Sequence, residues 1–130
     1  MGQLRRGLFV ALGAAAIAAG QSRGIDAAPS FDCRRASSIV EKEICGVGDL
    51  GDLDRGVAQL FAQALSVLSA ADVGALRAEQ REWLHRRDDC GDLIHGDPPI
   101  MADVYGCLRE RMTERVERLR AIIARRRFFK

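Results

Sequence analysis

The stretch REWLHRRDDC, residues 81–90, gathers the chain's only tryptophan, Trp83, with His85, Arg86, Arg87, Asp88, Asp89 and Cys90. Three chemistries use such side chains. A thiolate beside a histidine makes a nucleophile. Two carboxylates facing across a cleft make a glycosidase. Imidazoles and carboxylates together hold a metal, and His85 and His95 lie close in sequence to Asp88, Asp89 and Asp92.

Each chemistry fails on a requirement of its own. The four cysteines, Cys33, Cys45, Cys90 and Cys107, form an even set with no Cys-x-x-Cys pair. In a small exported chain that set reads as two disulfides, which removes the free thiolate. Glu79, Asp88 and Glu110 are carboxylates that nothing in the sequence singles out as a catalytic pair. The histidine and aspartate spacing matches no ligand pattern, and DLGDLD (49–54) lacks the order of a calcium loop. There is no Ser-His-Asp frame and no glycine-rich phosphate loop. The expectation is a protein without catalytic residues, metal or cofactor.

The elements that position these residues follow from periodicity and punctuation. Arg5 and Arg6 precede the short apolar stretch GLFVALGAAAIAAG (7–20), and small residues near Gly20, Ala27 and Ala28 suit cleavage. Residues 1–28 are therefore expected to be an export signal, too short and too rich in alanine and glycine for a comfortable membrane span. The whole chain holds 20 basic and 18 acidic residues, and Arg5, Arg6, Arg23 and Asp26 belong to the leader, so residues 29–130 are balanced. Global charge gives no case for nucleic-acid binding. Residues 29–130 are expected to form one small domain.

Ser38 and Glu41 have the spacing of a capping box for a short helix through Cys45. The glycine- and aspartate-rich GVGDLGDLD (46–54) is expected to break that helix. Leu53, Val57, Leu60, Phe61, Ala64, Leu65 and Leu68 then recur at helical steps, predicting a second helix from about Asp54 to Leu68. Ser69 is a cap candidate for a third, reaching about Asp89. Gly91, Gly96 and Pro98-Pro99 predict a loop over 90–99. Val104, Leu108, Met112, Val116, Leu119 and Ile123 form the stripe of a last helix from about Met101 to Arg125. No segment alternates with period two. The expected fold class is all-α, a small bundle of antiparallel helices stapled by two disulfides. Three disulfide pairings are open; Cys33–Cys45 with Cys90–Cys107 is favoured, because crossed pairings must bring distant segments together.

SFDCRRASSIVEKEIC (30–45), LDRGVAQLFAQAL (53–65), LRAEQREWLHRRDDC (76–90) and CLRERMTERVERL (107–119) together resemble the LprI-type lysozyme inhibitor N-terminal domain, from Phe31 to about Leu119. The resemblance implies an exported helical bundle with paired cysteines, one LprI-like domain over 29–130 with a basic tail, and inhibition of lysozyme as the activity. Arg87 and Asp88 recur in the family pattern and are implied to form a fixed pair holding the disulfide loop. Lipoprotein members carry a lipid-attachment cysteine that this chain lacks, which favours a periplasmic or secreted protein.

On these grounds Trp83, with Arg87 and Asp88, is expected to be a structural anchor, buried on the apolar side of its helix rather than a ligand platform. The candidate partner-binding residues are Asp49 and Asp52, with Asp54 in the same predicted loop, and Asp89, Asp92 and Asp97 around the other. Their arrangement fits helix-end electrostatics as well as attraction to a basic lysozyme. The tail ARRRFFK (124–130) fits a helix end, or adhesion to an anionic surface. The expected function is an exported binding protein that occludes lysozyme without catalysis. The alternative is a cell-envelope adaptor that binds another envelope protein or the wall.

Overall fold

The computed structural model describes residues 29–95 and 101–128. Among them the chain is all-helical: α1 (Ile39–Gly46), α2 (Gly48–Val67), α3 (Ala70–Asp88) and α4 (Met101–Phe128), with 3-10 turns at Cys33–Arg35 and Asp89–His95. The predicted export signal, residues 1–28, lies outside the described residues, as does Asp97. No helix among the described residues is long and apolar enough to cross a membrane.

The capping chemistry is as expected. Ser38 Oγ accepts from the Glu41 amide at 3.1 Å, and Glu41 Oε2 accepts from the Ser38 amide at 3.0 Å and the Ser37 amide at 2.7 Å. These bonds satisfy donors that the first helical turn leaves without partners. Ser69 likewise accepts from the Asp72 amide at 3.3 Å and starts α3.

The expected break over 46–54 is corrected. Only Val47 leaves the helical conformation, in extended backbone, and α2 begins at Gly48 rather than near Asp54. Gly48 and Gly51 each cost the helix about 1 kcal/mol relative to alanine. Against that, Leu50 becomes fully buried, with Val57 and Ala64 following on the same face. Burying one leucine side chain contributes about 1.5–3 kcal/mol, enough to offset the glycines. The expected loop is corrected in part: residues 89–95 form 3-10 turns.

The core runs along α4. Val104, Leu108, Met112 and Leu119 are fully buried, and Val116 and Ile123 nearly so. They pack chiefly on α2, joined by Val40 and Ile44 of α1. Helix α3 stands farther from both α2 and α4 than those two stand from each other. Its buried residues are Leu76, Trp83 and Arg87, so long side chains span the gap. Cys33 is joined to Cys45 and Cys90 to Cys107, each with Cα atoms 5.8 Å apart, within the range a disulfide requires. The local pairing is therefore the observed one.

Candidate functional site

The wide spacing of α3 is filled by a layer of charged and aromatic groups centred on Trp83. The ring is 6% exposed, and its Nε1 donates to the Arg111 carbonyl of α4 at 3.2 Å. Two guanidinium groups lie against the ring, Arg87 with its Cζ 5.7 Å from the centroid and Arg115 at 5.9 Å. Positive charge over an indole is attracted by the ring's electron-rich face.

Both arginines are buried and both are answered by acceptors. Arg87 donates from Nε and Nη2 to Asp88 Oδ1, at 2.9 and 2.8 Å, and its Nη1 approaches Asp54 Oδ1 at 3.5 Å. Asp54, buried on α2, also accepts from the Ser30 amide at 2.6 Å, which fastens the leading segment to the body. Arg115 donates from Nε to Gln80 at 2.9 Å and pairs through Nη1 with Glu79. Its Nη2 is buried with no hydrogen-bond partner among the described residues.

Glu79 is shared between Arg115 and Arg118, whose Nη2 lies 3.3 Å away. The Arg118 hydrogen bond, with Arg115 added, holds this carboxyl below its ordinary range, outweighing the upward push of partial burial. A groove of about 440 Å³ runs beside the layer, walled by Ser30, Phe31 and Phe61, with Asp54, Trp83 and Arg87 lining it.

Here Asp54, Asp88 and Glu79 are tied to guanidinium groups, and all four cysteines are oxidised. The arrangement links α3 to α2 through Arg87 and Asp54, and to α4 through Trp83 with Arg111 and Glu79 with Arg115. Trp83, Arg87 and Asp88 lie together here, with Asp88 as the exposed member.

The acidic candidates divide. Asp49 and Asp52 sit on the first turns of α2, not in a loop. Asp49 accepts from the Tyr105 hydroxyl at 2.7 Å and lies 3.8 Å from Arg109 Nε, while Asp52 pairs with Arg55 at 2.7 Å. The bond to Asp49 raises the Tyr105 hydroxyl above its ordinary pKa. Asp54 is not a surface group at all. Asp89 and Asp92 are exposed on the 3-10 turns. The Cys90–Cys107 disulfide holds those turns against α4 two residues beyond Tyr105, the partner of Asp49. No group of three or more histidine, cysteine or carboxylate ligands is assembled among the described residues.

Gln80, Arg115 and Tyr105 were not singled out from the sequence, and Asp54 was grouped there with the loop aspartates rather than with the interior. Asp54 had a signal: it stands four residues after Leu50 and three before Val57, on the buried face of a helix that starts early enough. Arg115 had one too, three residues after Met112 and four before Leu119, at the edge of the α4 stripe. No family model, no curated protein and no solved structure matches the chain.

Proposed function

We propose that the chain is an exported binding protein of the LprI-type lysozyme inhibitor kind, which occludes the cleft of a basic lysozyme without doing chemistry itself. Residues 1–28 are its export signal, and the mature domain is an antiparallel bundle acting in the periplasm or outside the cell. The observation that supports this reading is the pair Asp89 and Asp92, both exposed on turns held to α4 by the Cys90–Cys107 bridge. Carboxylates presented on a pinned segment attract a basic partner and lose little freedom when it docks. The Trp83 layer supports the same surface from beneath, since Arg87 binds Asp88 at the end of α3 from which those turns depart.

The test is lysis of purified cell walls by a basic, animal-type lysozyme, titrated with the oxidised protein. Inhibition that saturates near one-to-one and weakens with salt is the expected result. In the triple variant Asp89→Asn, Asp92→Asn, Asp97→Asn association should slow at low salt. No inhibition at large excess, with helicity intact by circular dichroism, overturns the proposal and leaves the envelope-adaptor alternative.

A further inference from the structure

We infer that the far end of α4 is a basic docking face for an anionic phospholipid surface. From Arg118 onward the sequence carries Arg118, Arg120, Arg125, Arg126, Arg127 and Lys130 and no acidic side chain. The helix dipole accounts for bases within the last turn only. Arg118 answers Glu79, but Arg120 stands two turns before Phe128 and is not accounted for by the dipole.

The structure adds an apolar element to the charge. Between α3 and α4 lies a groove of about 330 Å³, where Leu68, Leu76 and Ile122 line it together with Arg118, Arg125 and Arg126 and the carboxylates Asp72 and Glu79. Arg118 pairs with Glu79 and Arg126 with Asp72, while Arg125 has no carboxylate partner among the described residues. Three guanidinium groups against two carboxylates leave the groove an excess of positive charge beside apolar side chains, which suits anionic lipid headgroups and the upper part of their chains. Guanidinium also binds phosphate through paired hydrogen bonds, which an ammonium does not.

Position along α4 gives the face an orientation. Tyr105, which holds Asp49, lies about 30 Å from Arg126 at 1.5 Å per helical residue. The acidic and basic ends therefore sit at opposite ends of one helix. An anionic membrane that attracts one end repels the other, so the protein stands with its acidic turns directed away from the bilayer. This inference does not depend on lysozyme being the partner.

The test uses the oxidised protein recovered from an exporting bacterial host, its processing checked by intact mass. It is cosedimented with phosphatidylcholine vesicles containing phosphatidylglycerol and with pure phosphatidylcholine vesicles. Binding is expected to the anionic vesicles alone, to be lost at high salt, and to fall about tenfold or more in Arg125→Gln, Arg127→Gln, Lys130→Gln. That variant leaves the Arg118–Glu79 and Arg126–Asp72 pairs in place. No binding, equal binding to neutral vesicles, or an undiminished triple variant overturns the inference. Capture by purified wall polymer without vesicle binding overturns it as well.

Discussion

Asp54 and Arg87, 33 residues apart in the chain, meet inside the molecule with Oδ1 and Nη1 3.5 Å apart. Neither is stabilised by that contact alone. Asp54 depends also on the Ser30 amide, and Arg87 on Asp88 and the Trp83 ring. The pair couples the leading segment, α2 and α3 through one point.

Removing either partner should therefore have unequal effects. Arg87→Met leaves a buried carboxylate with only the Ser30 amide and should cost about 3–5 kcal/mol. Asp54→Asn keeps an acceptor for Ser30, and Arg87 keeps Asp88, so about 1–2 kcal/mol is expected. Urea denaturation midpoints of the oxidised proteins check both. Similar losses in the two variants would mean that Asp54 does not rely on Arg87.

Gly91 marks the closest approach of the 3-10 turns to α1. A Cβ there would stand 2.8 Å from Ile39 Cγ2 and 3.2 Å from Val40 Cγ2. Gly91→Ala should cost about 1–3 kcal/mol through overpacking, and Ile39→Ala in the same chain should recover part of it. Gly74, mid-helix in α3, has open space around it. Gly74→Ala should instead stabilise by about 1 kcal/mol. Thermal midpoints of the four proteins separate the two environments.

The two disulfides should differ in their response to reductant. Cys33 is exposed and Cys45 half-buried, whereas Cys90 is 1% exposed in the core. A limiting thiol should open Cys33–Cys45 first, because exchange requires access to a sulfur. Alkylation followed by mass spectrometry reads the order. Loop closure alone gives each bridge about 3 kcal/mol. Cys90→Ala, Cys107→Ala should exceed that loss, since it also leaves a cavity in the core.

Glu79 gives the stability a dependence on acid pH. Its folded pKa lies below the ordinary 4.5, so its contribution is complete above pH 4.5 and fades as pH falls through the lowered value. Glu41, held down by the Ser37 and Ser38 amides, acts in the same direction. Glu79→Gln should be less stable than the parent at pH 7, with the gap closing toward pH 3. Urea midpoints at the two values check it. A gap that stays constant would place the effect of Glu79 in packing rather than charge.

Much of the fold was legible because it rests on short-range chemistry. Ser38 with Glu41 and Ser69 with Asp72 cap helices through bonds spanning three residues. The α4 stripe from Val104 to Ile123 follows from helical periodicity, and Trp83 with Arg87 shares a face by the four-residue step between them. The start of α2 was misread for the opposite reason. Three glycines in nine residues favour a break locally, and the burial of Leu50 that outweighs them depends on where α4 lies.

Apart from the start of α2 and the turns over 89–95, the helix positions, the caps and the even set of cysteines were thus determined by the sequence itself, since each depends on neighbours within a turn or two or on simple counting. Only the tertiary structure decided that Asp54 is an interior partner of Arg87 while Asp89 and Asp92 face solvent, although all three lie in aspartate-rich stretches of similar composition. It also decided that Arg115 of α4 answers Trp83 and Glu79 of α3. Those outcomes depend on how far apart the helices stand. That spacing is set by the volume of the long side chains between them, which emerges when α2, α3 and α4 pack together.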